Sequence, residues 1–243
     1  MKVVILAGGL GTRLRSVVND VPKPLAPING TPFLALMLEA LHRQGIDEII
    51  LSIGYMAETF DSFLNEIRAS FPRLTVETLV EPERLGTGGA LRFCQQHYTD
   101  DCYLVLNGDS YCQFDLKALH AAAAEQGSAM VVAHVDNISR YGEVSLNDDS
   151  TVAAFHEKRP CDDPGWINAG IYLLPGELVT AMPANTAFSL EERIIPQALH
   201  KGLVAIRACG PFIDIGIPED YQALCRATDH YFSVISPQPM ERS

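Results

Sequence analysis

KVVILAGGLGTRL, residues 2–14, is the stretch that decides the fold of this chain. Lys2–Ala7 is a mainly apolar run that contains three consecutive β-branched residues, which predicts a buried strand. Three glycines follow, and glycines at the carboxyl end of a parallel strand allow backbone N–H groups to approach an anion. Arg13 adds a planar guanidinium that suits phosphate. A plain structural turn needs only one or two glycines, so the stretch predicts an α/β fold with an anion site after its first strand.

Two other glycine-rich motifs are excluded by the residues present. A P-loop requires G-x-x-x-x-G-K-[ST], which is absent, and the dinucleotide fingerprint requires a third glycine where Leu14 stands. Downstream, Pro22, Pro24 and Pro27 flank Lys23 and stiffen its backbone, so placing Lys23 beside an anion costs little entropy. Alone, Lys23 would be an ordinary surface lysine. Its closeness to the glycine loop favours an anion-binding role.

The patterns that follow alternate between strands and helices. Predicted strands are Lys2–Ala7, Glu48–Ile53, Leu74–Leu79 and Cys102–Asn107, and predicted helices are Pro32–Gln44, Ala57–Phe71 and Gly88–His97. The first helix has Thr31 as its predicted N-cap, Pro32 at its first position and Gly45 just past its end. This alternation predicts a Rossmann-like α/β fold, with a mixed but mostly parallel sheet flanked by helices.

The second half of the chain has shorter strands. We predict them at Ala129–Val135, Gly142–Leu146, Val152–Phe155 and Ile167–Leu174, followed by helices at Leu190–His200 and Pro218–Phe232. Residues 1–235 are predicted to form a single domain and residues 236–243 a loose tail. No hexapeptide or solenoid repeat is visible, so a β-helix domain is not expected.

Composition excludes several classes of protein. The chain is 47% hydrophobic and 20% charged, as a folded domain is. Its longest apolar runs are too short to span a membrane and its N-terminus lacks a signal-peptide core, so we expect a cytoplasmic protein with no membrane partner. A net charge of −12 argues against nucleic-acid binding. The six cysteines and seven histidines show no zinc-like spacing, which predicts reduced thiols.

An ordered set of motifs carries a family resemblance. It comprises GGLGTRL at 8–14, PKP at 22–24, EPERLGTGGAL at 81–91, NGD at 107–109, FHEK at 155–158, NAGIY at 168–172 and FIDIGIPEDY at 212–221. The set resembles the sugar-1-phosphate nucleotidylyltransferases that make NDP-sugars, and most closely the D-glycero-α-D-manno-heptose 1-phosphate guanylyltransferases. The resemblance implies the nucleotide-diphospho-sugar transferase (GT-A-like) fold. It also implies transfer of a nucleoside monophosphate from a nucleoside triphosphate to a sugar 1-phosphate, with Mg²⁺ and with release of pyrophosphate.

The resemblance also assigns site residues. The implied catalytic residues are Arg13, Lys23, Asp109, Lys158 and Asp214, with Asp109 and Asp214 holding the metal. The implied nucleotide-binding residues are Leu6, Ala7, Gly8, Gly9, Gly11, Thr12, Arg13, Lys23, Glu81, Gly86, Thr87, Asn107 and Asp109. The sugar phosphate is expected at Gly142, Glu157, Lys158 and Asn168, where Arg159 stands in place of a proline that the family often has.

The chemistry of the two aspartates agrees with this assignment. Asp109 ends a predicted buried strand and Asp214 lies between apolar residues, and Mg²⁺ typically takes one or two carboxylates plus phosphate oxygens. Other interpretations stay open. Asp109 would also suit a turn or an N-cap, Asp214 would suit the buried partner of an arginine, and Glu157 with Lys158 would suit a solvated ion pair.

Glu81 bears on the choice of base. Related enzymes that use thymine or uracil nucleotides have Gln-Pro where this chain has Glu81-Pro82. A carboxylate only accepts hydrogen bonds, and guanine offers two neighbouring donors, so GTP is favoured. Another nucleoside triphosphate, mannose or glucose 1-phosphate, and a non-catalytic sugar-nucleotide-binding subunit stay open as alternatives. Trp166 and Tyr172 are predicted to serve packing, and the sequence does not decide between a monomer and a homo-oligomer.

Overall fold

The computed structural model describes residues 1–9, 11–156 and 162–232. Its strands are β1 Lys2–Leu6, β2 Pro27–Ile28, β3 Thr31–Pro32, β4 Glu48–Ile53, β5 Thr75–Val80, β6 Cys102–Asn107, β7 Ser110–Tyr111, β8 Ser128–Val135, β9 Glu143–Leu146, β10 Val152–His156, β11 Gly165–Pro175, β12 Leu203–Arg207 and β13 Ile213–Asp214. Its α-helices are α1 Phe33–Arg43, α2 Phe60–Ser70, α3 Gly86–His97, α4 Leu116–Gln126, α5 Gly176–Thr180, α6 Leu190–Lys201, α7 Pro218–Arg226 and α8 Thr228–Phe232.

Nine of these strands form one central sheet. Its order is β10-β9-β11-β6-β1-β4-β5, with β8 paired to β11 and β12. Strands β6, β1, β4 and β5 run parallel, whereas β11 is antiparallel to β6. Leu6 at the end of β1 lies beside Asn107 of β6 and Ser52 of β4. The loops after these three strands therefore meet at one edge of the sheet, where α/β sheets bind ligands.

Successive side chains of β1 enter cores on opposite faces of the sheet. Val3 and Ile5 join a cluster that includes α1, α2 and α4, whereas Val4 joins a cluster that includes α3, α5 and α6. This follows from the two-residue period of a strand. Both faces of the parallel strands are covered, which fixes the position of the loops at their carboxyl ends.

The predicted strands and helices of the first half form close to their expected bounds, and Glu48–Ile53 and Cys102–Asn107 match fully. The N-cap assigned to Thr31 is wrong. Asn29 and Gly30 both have positive φ, 50° and 90°, and make a tight hairpin turn that pairs Thr31 and Pro32 with β2. Pro32 therefore occupies the cap position without a side-chain cap, whereas Gly45 adopts the expected positive φ of 85° past the helix.

Two further differences concern helices. Pro218–Phe232 is not one helix, because Ala227 leaves helical geometry at φ −138° and ψ 40° and separates α7 from α8. Helix α4 was not predicted, although its signals are present: Asp115 accepts hydrogen bonds from two backbone N–H groups of the first turn, and Gly127 ends the helix at φ 90°. The predicted tail at 236–243 lies outside the described residues. In the part of the chain that is described, no helix is both long and apolar enough to cross a membrane.

Candidate active site

A cleft opens at the carboxyl edge of β1 and β6, and we call it the first cleft. Its walls are held by backbone hydrogen bonds, since Ala7 N donates to Ser52 O at 2.7 Å and Gly108 N donates to Leu6 O at 3.0 Å. Most of the predicted nucleotide-binding residues are brought together here. The lining comprises Leu6, Ala7, Gly8, Gly9, Gly11, Lys23, Pro24, Glu81, Arg84, Gly86, Thr87, Ala90, Asn107, Gly108 and Asp109.

Glu81 packs against the glycine-rich loop in this cleft. A Cβ atom on Gly8 would lie 2.4 Å from Glu81 Oε1, so a larger residue at position 8 would displace the Glu81 carboxylate from its present position. Ser52 Oγ donates to Oε1 at 3.0 Å and Leu85 N donates to Oε2 at 3.3 Å. Burial raises the pKa of Glu81, and these two hydrogen bonds oppose the rise. Each oxygen accepts one protein hydrogen bond and retains capacity for a ligand.

Lys23 lies between the two aspartates that the sequence singled out. Its Nζ is 2.9 Å from Asp109 Oδ2 and 3.2 Å from Asp214 Oδ1. Only 10% of the Lys23 side chain is exposed, and this burial works to lower its pKa. The two carboxylates outweigh that effect, and the pKa of Lys23 is raised. Among the described residues, the ion-pair partner of Asp214 is therefore a lysine and not an arginine.

The same arrangement shifts Asp214. Burial raises the pKa of its carboxyl, Lys23 opposes the rise and the neighbouring Asp109 carboxylate adds to it. Within the described residues no group of three or more His, Cys, Asp or Glu side chains is placed to hold a metal ion. The cation-binding potential of this edge therefore lies in the pair of aspartates, which share one ammonium group.

A second cleft adjoins the first along Asn107 and Asp109. Its lining comprises Asn107, Asp109, Ser110, Tyr141, Gly142, Phe155, Asn168, Gly170, Ser189, Glu191, Phe212 and Asp214. Gly142 and Asn168, predicted for the sugar phosphate, are neighbours, since Asn168 N donates to Gly142 O at 3.0 Å. Two adjoining clefts with acidic residues between them can hold two phosphorylated ligands with their phosphates close together.

Several lining residues were missed by the sequence reasoning: Arg84 in the first cleft, and Tyr141, Phe155, Phe212 and Glu191 in the second. Glu191 stands out because it accepts hydrogen bonds from three side chains. One signal could have found it, since it follows Ser189, the N-cap of α6, in the first turn of that helix. Acids in the first turn are common for electrostatic reasons alone, so the signal is weak.

The glycines at 86–89 serve two purposes. Gly86 and Thr87 line the first cleft as predicted. Gly88 and Gly89 instead lie inside α3 and pack against the segment before α6, where added Cβ atoms would lie 2.3 Å from the Phe188 ring and 2.4 Å from Thr186 O. The missing side chains of Gly88 and Gly89 therefore make room for protein atoms.

Some predicted site residues lie elsewhere. Thr12 and Arg13 are exposed next to the short 3₁₀ turn at Leu14–Ser16, and neither lines a cleft. Their assignment to the nucleotide stays a prediction. Glu157 and Lys158 lie outside the described residues. The described strand β10 ends at His156, directly before them, and its Phe155 lines the second cleft.

The chain is similar to known proteins in both sequence and fold. The family model described as nucleotidyl transferase matches residues 2–230. A D-glycero-α-D-manno-heptose 1-phosphate guanylyltransferase of Campylobacter jejuni is 39% identical over 224 residues, which are 91% of this chain and 97% of the relative. One from Aneurinibacillus thermoaerophilus is 34% identical over 95% of this chain and 100% of its own. The crystal structure of HddC from Yersinia pseudotuberculosis complexed with GMP-PN has a TM-score of 0.79 and 37% identity, covering 93% and 98% of the two chains.

Proposed function

Because the chain belongs to the nucleotidyl transferase family and is a nucleotidyltransferase, we propose that it joins GTP and D-glycero-α-D-manno-heptose 1-phosphate into a GDP-heptose. The observation that carries the proposal is the meeting of the two clefts at Asn107 and Asp109, with Lys23 and Asp214 beside them. The glycine loop in the first cleft suits the triphosphate, and the second cleft suits the sugar phosphate.

The reaction is an in-line phosphoryl-type transfer. A sugar-phosphate oxygen bonds to the α-phosphorus of the nucleotide, the bond from that phosphorus to the bridging oxygen breaks, and pyrophosphate leaves with the electron pair. The nucleophile is already an anion, so no general base is required. The protein must bring several negative charges together, which is a task of positioning and neutralisation. The backbone N–H groups of Gly8, Gly9 and Gly11 and the ammonium of Lys23 are suited to it.

Asp109 and Asp214 are proposed to hold Mg²⁺. Both carboxylates approach one ammonium group within 3.2 Å, so their oxygens already converge on a position suited to a shared cation. Two carboxylates are the protein share that Mg²⁺ usually takes, the remainder being phosphate oxygens and water. When bound, the ion would neutralise charge that develops on the phosphates. Lys23 balances part of the negative charge of the pair and lies in the cleft where the phosphates are expected.

Guanine is supported by the chemistry of Glu81. Its carboxylate lies in the first cleft with capacity left on both oxygens, and guanine presents N1–H and N2–H side by side. Uracil presents one ring N–H between two carbonyls, so one oxygen of the Glu81 carboxylate would face a uracil carbonyl, and both of these groups only accept hydrogen bonds. The heptose is supported by the names of the relatives at 39% and 34% identity. We propose the cytoplasm as the compartment, where the free thiols of the described cysteines would stay reduced.

The test is a matrix of four nucleoside triphosphates against heptose, mannose and glucose 1-phosphates, with pyrophosphate release as the readout. We expect turnover to be greatest with GTP and the heptose 1-phosphate, to stop with a chelator and to return with Mg²⁺. Comparable rates with GTP and UTP would refute the base assignment. Preference for mannose or glucose 1-phosphate would refute the sugar. Sugar-nucleotide binding without turnover for any pair would show the non-catalytic alternative.

A further inference from the structure

A chain of hydrogen bonds runs from the second cleft to the start of helix α6. Asn168 Nδ2 donates to Tyr172 Oη at 2.5 Å, and Tyr172 Oη donates to Glu191 Oε1 at 3.0 Å. The other carboxylate oxygen, Oε2, accepts from Thr87 Oγ1 at 3.0 Å and from Ser189 Oγ at 2.7 Å. Glu191 is thus a junction between residues of both clefts. The proposed reaction uses neither Tyr172, which was predicted to serve packing, nor Glu191.

The direction of each hydrogen bond follows from elementary chemistry. A carboxylate only accepts, so the hydroxyl of Tyr172 must give its single proton to Glu191. With its proton committed to Glu191, the Tyr172 hydroxyl can only accept a hydrogen bond from Asn168. The atom of the Asn168 amide that faces this hydroxyl must therefore be the nitrogen, Nδ2. At the other end, Gly170 N donates to Asn168 Oδ1 at 2.9 Å. Two independent partners therefore fix which end of the amide is nitrogen and which is oxygen.

Burial makes this arrangement rigid. Tyr172 belongs to β11, and its side chain is fully buried in the core. Burial raises the pKa of its hydroxyl well above the usual value, so the hydroxyl keeps its proton. Asn168 itself lines the second cleft, and its amide nitrogen carries a second N–H. A buried polar chain whose members are all paired holds its outermost group in a single orientation.

We propose that Tyr172 and Glu191 are positioning residues for the sugar side of the reaction. They hold the amide of Asn168 so that it presents an N–H donor, and not a carbonyl, to an oxygen of the bound sugar 1-phosphate. The identity of that ligand rests on the proposed function. The orientation of the amide does not, because it follows from contacts within the protein.

The decisive variant is Tyr172→Phe, which removes one hydroxyl and keeps the ring. We expect KM for the sugar 1-phosphate to rise by roughly tenfold, the loss of about one hydrogen bond, while KM for GTP stays within about twofold. The matched control is Tyr103→Phe. Tyr103 is equally buried, accepts from Asp100 N and donates to Tyr98 O, and lines neither cleft. Its variant should lose stability to a similar extent and leave both KM values unchanged.

Two further measurements separate positioning from general damage. Glu191→Ala should also raise the sugar KM, and adding Tyr172→Phe to it should raise KM no further, since both act through one chain. In the ligand-free protein, the side-chain amide resonances of Asn168, assigned by their loss in Asn168→Ala, should shift in Tyr172→Phe and not in Tyr103→Phe.

The outcomes are distinguishable. An unchanged sugar KM in Tyr172→Phe, an equal rise in Tyr103→Phe, or additive effects of the two substitutions would overturn the proposal. So would unmoved Asn168 resonances. Failure of the wild-type protein to turn over any substrate pair would instead refute the proposed function, and the amide resonances would still test the positioning role.

Discussion

Replacing Glu81 by glutamine should reverse the base preference while leaving the size of the side chain unchanged. The orientation of the new amide is set by its neighbours. Leu85 N can only donate, so the amide oxygen must take the position of Oε2 and the NH₂ group the position of Oε1, beside the Ser52 hydroxyl. One oxygen still accepts from guanine, but the NH₂ group now faces a guanine donor.

The size of the effect follows from that geometry. The change removes one charge-assisted hydrogen bond, worth about 1.5–3 kcal/mol, and leaves a donor unpaired at a cost of about 1–3 kcal/mol. The two terms add to about 2.5–6 kcal/mol, which corresponds to a loss of roughly 10²–10⁴-fold in kcat/KM for GTP. The value for UTP should stay or rise, because uracil can pair one N–H and one carbonyl with an amide.

The assay is pyrophosphate release with each nucleoside triphosphate at a saturating concentration of the sugar 1-phosphate. Glu83→Gln is the matched control, since it makes the same chemical change at an exposed carboxylate outside the first cleft. An unchanged ratio of GTP to UTP turnover in Glu81→Gln would refute the reasoning. An equal loss with every nucleotide would also refute it, because it would show damage to the cleft and not to base recognition.

Three further predictions concern charge, packing and pH. Asp214→Asn should lower kcat by about two orders of magnitude or more. The control Asp61→Asn, on the surface of α2, should keep a kcat near that of the wild type, and circular dichroism should show that both variants are folded. Gly88→Ala should lower Tm by roughly 2–8 °C, since its Cβ would lie 2.3 Å from the Phe188 ring; an unchanged Tm would contradict this. Because the pKa of Glu81 is raised, its carboxylate becomes protonated at a higher pH than an ordinary glutamate and can then no longer accept two hydrogen bonds from guanine. On acidification, kcat/KM for GTP should therefore begin to fall at a higher pH than it would with an ordinary glutamate, and the pH profile of Glu81→Gln should lack this acidic decrease.

The fold of the first half could be predicted from the sequence because its signals are local. Apolar runs of five or six residues, glycines past their ends and helix-period patterns depend on neighbours along the chain. The parallel order follows from the alternation of strands and helices. The same locality explains the errors. The pattern could not show that the Asn29-Gly30 turn would pair Thr31 with β2, or that Ala227 would divide the last helical pattern.

The candidate site residues could likewise be predicted from sequence motifs, whereas the contacts between them could not. The glycine-rich loop, Lys23 and the two aspartates can each be recognised in the sequence. The residue types and their immediate neighbours indicate an anion site for the loop and the lysine and a cation site for the aspartates. That Lys23 joins Asp109 and Asp214 involves residues 86 and 191 positions apart. Their distances depend on how the sheet and the segments around it pack, which no local pattern encodes.

The sequence by itself determined the fold class, the edge of the sheet where ligands bind and most of the residues that line the first cleft. Only the tertiary structure decided that Gly8 makes room for Glu81, that Gly88 makes room for Phe188, and that Glu191 links the two clefts. The physical reason is that strand and helix periods arise within short segments, whereas side-chain contacts arise between segments. Those contacts exist only once both faces of the sheet are buried.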